Sequence, residues 1–422
     1  MAYFKISKSK LRGLIPISGA KNAALKILPA AILTDSPSVI TNVPDILDIR
    51  KMIEILESIG VKIKFENNTV SIDPSAIKSC EPAEQLVKKL RGSIVLVGPL
   101  LAKFGRAIFS QPGGCLIGAR SIDDHLDVFS QFGIKAVYKN EKFHLSGRPK
   151  AGTIVLQKMS VTATENAMMM AVLSKGETKI YLAAAEPEII DLANFLNRMG
   201  AKISGAGTHE ISITGVEKIN GTSHEIMPDR IEAGTYLIAA LATDSEVTIG
   251  PVIPEHLTIV LKRLSDAGAK IEIFEKSGQK YFKTRRHHKL RAINTDTRPY
   301  PGFPTDLQSP YAVLMTQAEG ESHIYETMYE GRFGYLKELD SMHAKITILN
   351  PHELLVNGPT TLVGSDISSK DIRGGAALVI AGLIAEGTTW IEDIEFIDRG
   401  YENIEVKLRN AGANIERHQT KP

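Results

Sequence analysis

Cysteine is nearly absent from this chain, with two residues in 422. That excludes a disulfide framework and a cysteine zinc set, and it suits a reducing cytoplasm. No charge of one sign dominates: 50 Lys and Arg stand against 48 Asp and Glu, so no overall field steers the chain to nucleic acid or to a membrane surface. Long hydrophobic runs are missing too. The longest, Ala376 to Ala385, is about half of what spans a bilayer. The start, Met1-Ala-Tyr-Phe-Lys-Ile-Ser-Lys, alternates like a strand and is read as carrying no export signal. There is no Gly-x-x-x-x-Gly-Lys-Ser/Thr and no Gly-x-Gly-x-x-Gly between a strand and a helix, so the common nucleotide loops are excluded. No metal and no cofactor are expected.

What is present begins with one of the two cysteines. In Gln111-Pro-Gly-Gly-Cys-Leu-Ile-Gly-Ala-Arg120, Gly113, Gly114 and Gly118 give Cys115 a backbone able to take positive φ and approach a ligand closely. Arg120 follows five residues on, able to lower the thiol pKa and to bind an anion. The loop therefore reads as a reactive thiol. The alternative is a small residue in a tight turn.

The length implies two or three domains. One pattern recurs six times at intervals of roughly 70 residues, each copy ending helix, cap residue, strand. The caps are Gly60, Gly133, Gly200, Gly268, His343 and Gly412. Upstream lie an apolar helix, as over 22–33 or 93–101, a short strand, and an amphipathic helix, as over 46–59. A hairpin follows, with an Asn67-Asn68 turn in the first copy. Met168-Met-Met170 falls on an apolar helix and reads as core. The chain is expected to cross between two three-repeat groups near Asp229-Arg230. The domains are then 21–229, carrying the Cys115 loop, and 1–20 with 230–422, the first strand pairing with the far group.

Charged residues recur at matching repeat positions. Lys21-Asn22, Arg91, Arg230, Asp306 and Arg373 mark the starts of first helices, where unsatisfied N–H groups favour anions. Arg120, Arg332 and Arg399 follow middle strands. Asp306, in Tyr300-Pro-Gly-Phe-Pro-Thr-Asp306, reads either as a helix N-cap or as a rigidly presented general base. Asp371 has the same ambiguity, and Arg373 beside it makes an ion pair possible. Arg285-Arg-His-His-Lys-Leu-Arg291 reads as a solvated hairpin edge.

Lys21-Asn22, Pro112-Gly-Gly-Cys-Leu-Ile-Gly-Ala-Arg120, Tyr300-Pro-Gly-Phe-Pro-Thr-Asp306, Ile397-Asp-Arg-Gly-Tyr-Glu402 and Glu186-Pro-Glu-Ile-Ile-Asp together resemble the UDP-N-acetylglucosamine 1-carboxyvinyltransferase family of enolpyruvyl transferases. The resemblance spans nearly the whole chain. It implies an α/β fold of two inside-out, barrel-like domains, each of three repeated αβαββ-type units, with the active site in the interdomain cleft. It also implies transfer of enolpyruvyl from phosphoenolpyruvate to the 3′-hydroxyl of UDP-N-acetylglucosamine, which opens bacterial peptidoglycan synthesis. No nucleic-acid, membrane or obligatory protein partner is implied.

By the same resemblance, Cys115 is the general acid toward C3 of phosphoenolpyruvate, able to form a covalent adduct, and the target of fosfomycin. Asp306 accepts the hydroxyl proton. Lys21, Arg120 and Arg399, with Arg373 adjacent, hold phosphate and carboxylate, and Asn22 bonds the tetrahedral intermediate. The nucleotide sugar falls to Asn22, Arg91, Arg120, Ser121, Ile122, Asp123, Asp124, Lys158, Met159, Ser160, Val161, Asp306 and Met328, with Arg332 and Asp371 in support. Ser121, Gly331, Tyr335 and His343 depart from the family pattern, which loosens the Arg332 region and keeps open a different acceptor. A shikimate-type transferase would lack the cysteine loop, and a catalytically silent nucleotide-sugar sensor would lose the acid or the base.

Overall fold

The computed structural model describes residues 2–113, 121–285 and 289–419. They form two compact units, one of residues 19–113 with 121–227, the other of residues 2–18 with 228–419.

In the first unit, the opening helix of each repeat is Lys21–Ala30, Val97–Phe104 or Val161–Val172. These helices are apolar on nearly every side, so they must be covered on every side. Met168, Met169 and Met170 are fully buried among them. Three small sheets do the covering. Their strand orders are Ser223–Glu225, Ser38–Thr41, Thr69–Asp73, Lys62–Glu66; then Arg106–Ser110, Lys142–Ser146, Lys135–Lys139; then Lys202–Ser204, Glu210–Thr214, Glu177–Tyr181, Thr153–Val155. Helices inside and sheets outside is the inside-out arrangement.

The expected helix over 93–101 is divided. Arg91–Leu96 is a 3-10 segment and the α-helix starts at Val97. Asn166 enters the junction, accepting from the Gly98 N–H at 2.7 Å and donating to the Ile94 carbonyl at 3.1 Å. A side chain inserted in the ladder explains the break.

The second unit repeats the plan with Arg230–Ala242, Gln308–Met315 and Ile372–Ile384, which pack on one another. Every residue of Ile372–Ile384 is buried. The chain's first strand, Tyr3–Ser7, sits inside the sixth repeat's sheet, antiparallel to Thr388–Glu392 and to Asn414–His418, with Phe4 opposite Ile391 and Arg417. Arg12–Pro16 runs parallel to Glu246–Val252 and completes the fourth repeat's sheet.

Why the repeat signature works is visible in the backbone. The cap residues Gly60, Gly133, Gly200, Gly268 and Gly412 all have positive φ, and so does His343 at +64°. In each copy the next residue's N–H returns to a carbonyl five residues back, as Val61 to Leu56 at 3.2 Å and Ala344 to Leu339 at 3.0 Å. This is the Schellman closure, made six times. His343 makes it without glycine's freedom.

Candidate active site

In the first unit, Lys21 opens its helix, with Ala20 as N-cap and no side-chain cap. The Lys21 ammonium lies 2.9 Å from Asp48 Oδ2, and both residues are buried. Asn22, next in the first turn, stays partly exposed. Arg91 reaches across two segments: Nη2 donates to the Ser121 carbonyl at 2.8 Å and Nη1 to the Pro112 carbonyl at 3.3 Å. Ser121 Oγ accepts from the Asp123 N–H, tightening the turn into Asp123–Gln131 behind the buried Ile122. Asp124 pairs with the exposed Lys158 at 2.8 Å. Met159 and Ser160 lead into the helix that starts at Val161. The structure thus joins Arg91 to Ser121, and Asp124 to Lys158.

Gly113 is constrained by space, since a Cβ there would stand 1.8 Å from the Lys88 carbonyl oxygen. Cys115, Arg120, Gly114 and Gly118 lie outside the described residues, as do Arg286, His287 and His288 of the basic segment. Arg285 ends the strand Gln279–Arg285 and pairs with Glu272 across the hairpin at 3.0 Å.

In the second unit, Asp306 lies in a 3-10 turn, Thr305–Leu307, ahead of Gln308–Met315, and makes no N-cap. Its carboxylate instead takes two guanidiniums, Arg332 Nη2 at 2.5 Å and Arg373 Nη2 at 2.9 Å. The arginine side chains are 4% and 5% exposed, the Asp306 side chain 26%, so the cations are sealed while the carboxylate keeps an open edge. Burial works against the charged carboxylate, but Arg373 and Arg332 outweigh it and hold the group far below the usual carboxylate range. Asp306 is a carboxylate at any working pH.

Of the two readings open for Asp371, the structure takes the helix N-cap. It is the N-cap of Ile372–Ile384, one oxygen accepting from the Arg373 and Gly374 N–H groups at 2.9 Å each, while the Arg373 guanidinium pairs with Asp306. Chain neighbours at a helix start point in different directions, and the cap claims the aspartate. Arg373 also packs over the Tyr401 ring at 5.3 Å, and the Tyr401 hydroxyl meets Thr235 Oγ1 at 2.9 Å. Arg399 follows the short helix Glu395–Asp398 and is buried. Tyr335, fully inside, accepts from Gln308 Nε2 at 2.9 Å, and burial raises its phenol above the ordinary value.

Several residues were missed from the sequence. Glu326, fully buried, takes the Thr297 and Thr305 hydroxyls at 2.9 and 2.8 Å and the Met328 N–H at 2.8 Å, tying the Asp306 turn to the Met328 loop. His125 faces Thr162 Oγ1 at 3.1 Å and Asn166 Nδ2 at 3.0 Å, and burial, with Arg91 nearby, pushes its imidazole down to about 4. It is neutral near pH 7 and ties Asp123–Gln131 to Val161–Val172. Asp48, Lys26 and Glu165 did leave a signal: each is a charge on the buried face of an apolar or amphipathic helix. Among the described residues no cluster of His, Cys, Asp and Glu forms a metal site, and no helix is long and apolar enough to cross a membrane.

Comparison with known proteins adds a second line. The family model for EPSP synthase (3-phosphoshikimate 1-carboxyvinyltransferase) matches residues 6–408. A UDP-N-acetylglucosamine 1-carboxyvinyltransferase 2 of Carboxydothermus hydrogenoformans is 47% identical over 411 residues, 97% of each chain. A UDP-N-acetylglucosamine 1-carboxyvinyltransferase of Idiomarina loihiensis is 44% identical over 421 residues, 99% of each. Among solved structures, the enolpyruvyl transferase NikO from Streptomyces tendae matches with a TM-score of 0.89 at 25% identity, covering 100% of this chain and 99% of that one. EPSP synthase from Acinetobacter baumannii shares the fold, with a TM-score of 0.75 at 17% identity, covering 99% of this chain and 100% of its own.

Proposed function

The chain belongs to the EPSP synthase family and, within it, to the UDP-N-acetylglucosamine 1-carboxyvinyltransferases, and on that footing we propose the reaction its residues carry out. Enolpyruvyl passes from phosphoenolpyruvate to the 3′-hydroxyl of UDP-N-acetylglucosamine, releasing phosphate, at the opening of peptidoglycan synthesis. The observation that carries this reading is identity of 44–47% over nearly the full length of relatives bearing that name.

The 3′-oxygen attacks C2 of phosphoenolpyruvate as a proton reaches C3 from the Cys115 thiol, giving a tetrahedral intermediate. Loss of the C3 proton and of phosphate then leaves the enol ether. Asp306 receives the hydroxyl proton. Its two guanidinium partners keep it ionised and also make its acid form strong, so it orients the hydroxyl first and takes the proton only as the C–O bond forms. Lys21, Asn22, Arg120, Arg373 and Arg399 bind the phosphate and carboxylate and stabilise the intermediate. The nucleotide sugar is assigned to Arg91, residues 120–124 and 158–161, Asp306 and Met328. The His125 and Asn166 hydrogen bonds brace the helices that bear several of these residues. A cytoplasmic location is part of the same proposal.

The test is phosphate release from purified protein given phosphoenolpyruvate, with and without UDP-N-acetylglucosamine. Release that depends on the sugar, and is lost in Cys115→Ala and Asp306→Ala, is expected. Release indifferent to the sugar, or none, overturns the assignment. Fosfomycin is expected to add covalently at Cys115, read by peptide mass spectrometry.

A further inference from the structure

Two charged residues of the first unit sit inside apolar helices with no part in the reaction above. Lys26, 5% exposed, lies one turn along from Asn22, and its ammonium donates to the Asn22 carbonyl at 2.9 Å. Glu165, 0% exposed, belongs to Val161–Val172, and its Oε1 stands 3.4 Å from the same ammonium. Neither Glu165 oxygen accepts a hydrogen bond from a described residue.

We propose that Glu165 is a positioning residue that, through Lys26, sets the positive charge at the Lys21–Asn22 turn and hence its affinity for anions of the phosphate and carboxylate class. The proposal rests on reading that turn as an anion site. Lys21 is paired with Asp48, and the helix N-terminus and Lys26 add positive charge at the turn. A buried carboxylate without hydrogen bonds resists ionisation. The charged groups facing Glu165 are Lys26 from the packed helix Lys21–Ala30, and Glu188 and Glu186 at the start of Pro187–Arg198. Lys26 favours its ionisation and the two glutamates oppose it, and burial dominates, pushing Glu165 up to about 8.

Below that value Glu165 is a neutral acid and does not offset Lys26 beside the Asn22 carbonyl. Above it Glu165 ionises, and the carboxylate cancels the Lys26 charge and competes with Asn22 for the ammonium. Anion binding at the turn therefore weakens as pH rises through about 8.

Sulfate, whose charge is constant across neutral pH, is the probe, titrated calorimetrically into the full-length protein from about pH 6.5 to about 9.5. The wild type is expected to lose roughly three- to tenfold in affinity, with its midpoint near 8, while Glu165→Gln stays at the tighter level and Lys26→Met at the weaker level throughout. Steady-state kinetics should show the same pattern in KM for phosphoenolpyruvate with little change in kcat. Infrared titration of the wild type needs no variant and should show a protonated carboxyl band lost between about pH 7 and about 9. Identical sulfate profiles in wild type and Glu165→Gln, or no such band, would overturn the proposal. A wild-type sulfate profile as expected, without any enolpyruvyl transfer, would sink the functional reading and leave this one standing.

Discussion

Two buried charge clusters, one in each unit, behave in opposite ways. Around Asp306 two guanidiniums meet one carboxylate, every group is hydrogen-bonded, and the ionisation is fixed. Around Lys26 one ammonium stands 3.4 Å from a carboxylate that accepts no well-formed hydrogen bond from the described residues, and the ionisation is responsive. The same fold, made from the same repeat, thus offers one permanently charged clamp and one that answers to pH. A satisfied buried ion pair is set by its partners, and an unsatisfied one by the solvent's proton supply.

Breaking the fixed clamp has the largest expected effect. Asp306→Ala should lower kcat by roughly 10²- to 10⁴-fold. It also leaves two buried guanidiniums without their carboxylate, costing about 3–5 kcal/mol of stability by denaturant titration. Asp306→Asn, which keeps the shape, should lose activity similarly.

The pH dependence of stability separates the two sites by sign. The folded pKa of Asp306 is depressed, so its contribution is present above about 4, the unfolded value, and lost as pH falls below it. Asp306→Asn should flatten the acid limb of stability against pH. The folded pKa of Glu165 is raised, so its ionisation opposes folding increasingly as pH rises from about 4 toward about 8. Glu165→Gln should gain on the wild type by up to a few kcal/mol between about pH 5 and about pH 9, read from urea midpoints. A constant gap between the two proteins would erase the contrast.

Smaller effects test the scaffold. Asp371→Ala removes a cap that satisfies two N–H groups and should cost about 1 kcal/mol. His343→Gly relieves the only non-glycine among the six positive-φ caps and should stabilise by about 0.5–1 kcal/mol, read as a raised Tm.

The repeat architecture was legible because its signals are local. A glycine after an amphipathic helix predicts a Schellman closure from the backbone alone, and six recurrences reveal the plan. The starts of the first helices, with Lys21, Arg230 and Arg373, were legible for the same reason. What each polar side chain bonds to was not legible, because partners come from distant segments. Asp306 and Asp371 looked alike in sequence, yet one meets arginines 26 and 67 residues away and the other caps its own helix. Glu326 gave no signal at all. Lys26 and Glu165 did signal, as charges on apolar helices, but only the structure pairs them across 139 positions.

Proton NMR of the reaction product reads the enolpyruvyl transfer itself. Two vinyl protons of an enol ether on the 3′-oxygen of UDP-N-acetylglucosamine, appearing in step with phosphate, are expected. Phosphate released with only pyruvate formed, or an enol ether on another acceptor alone, would contradict it.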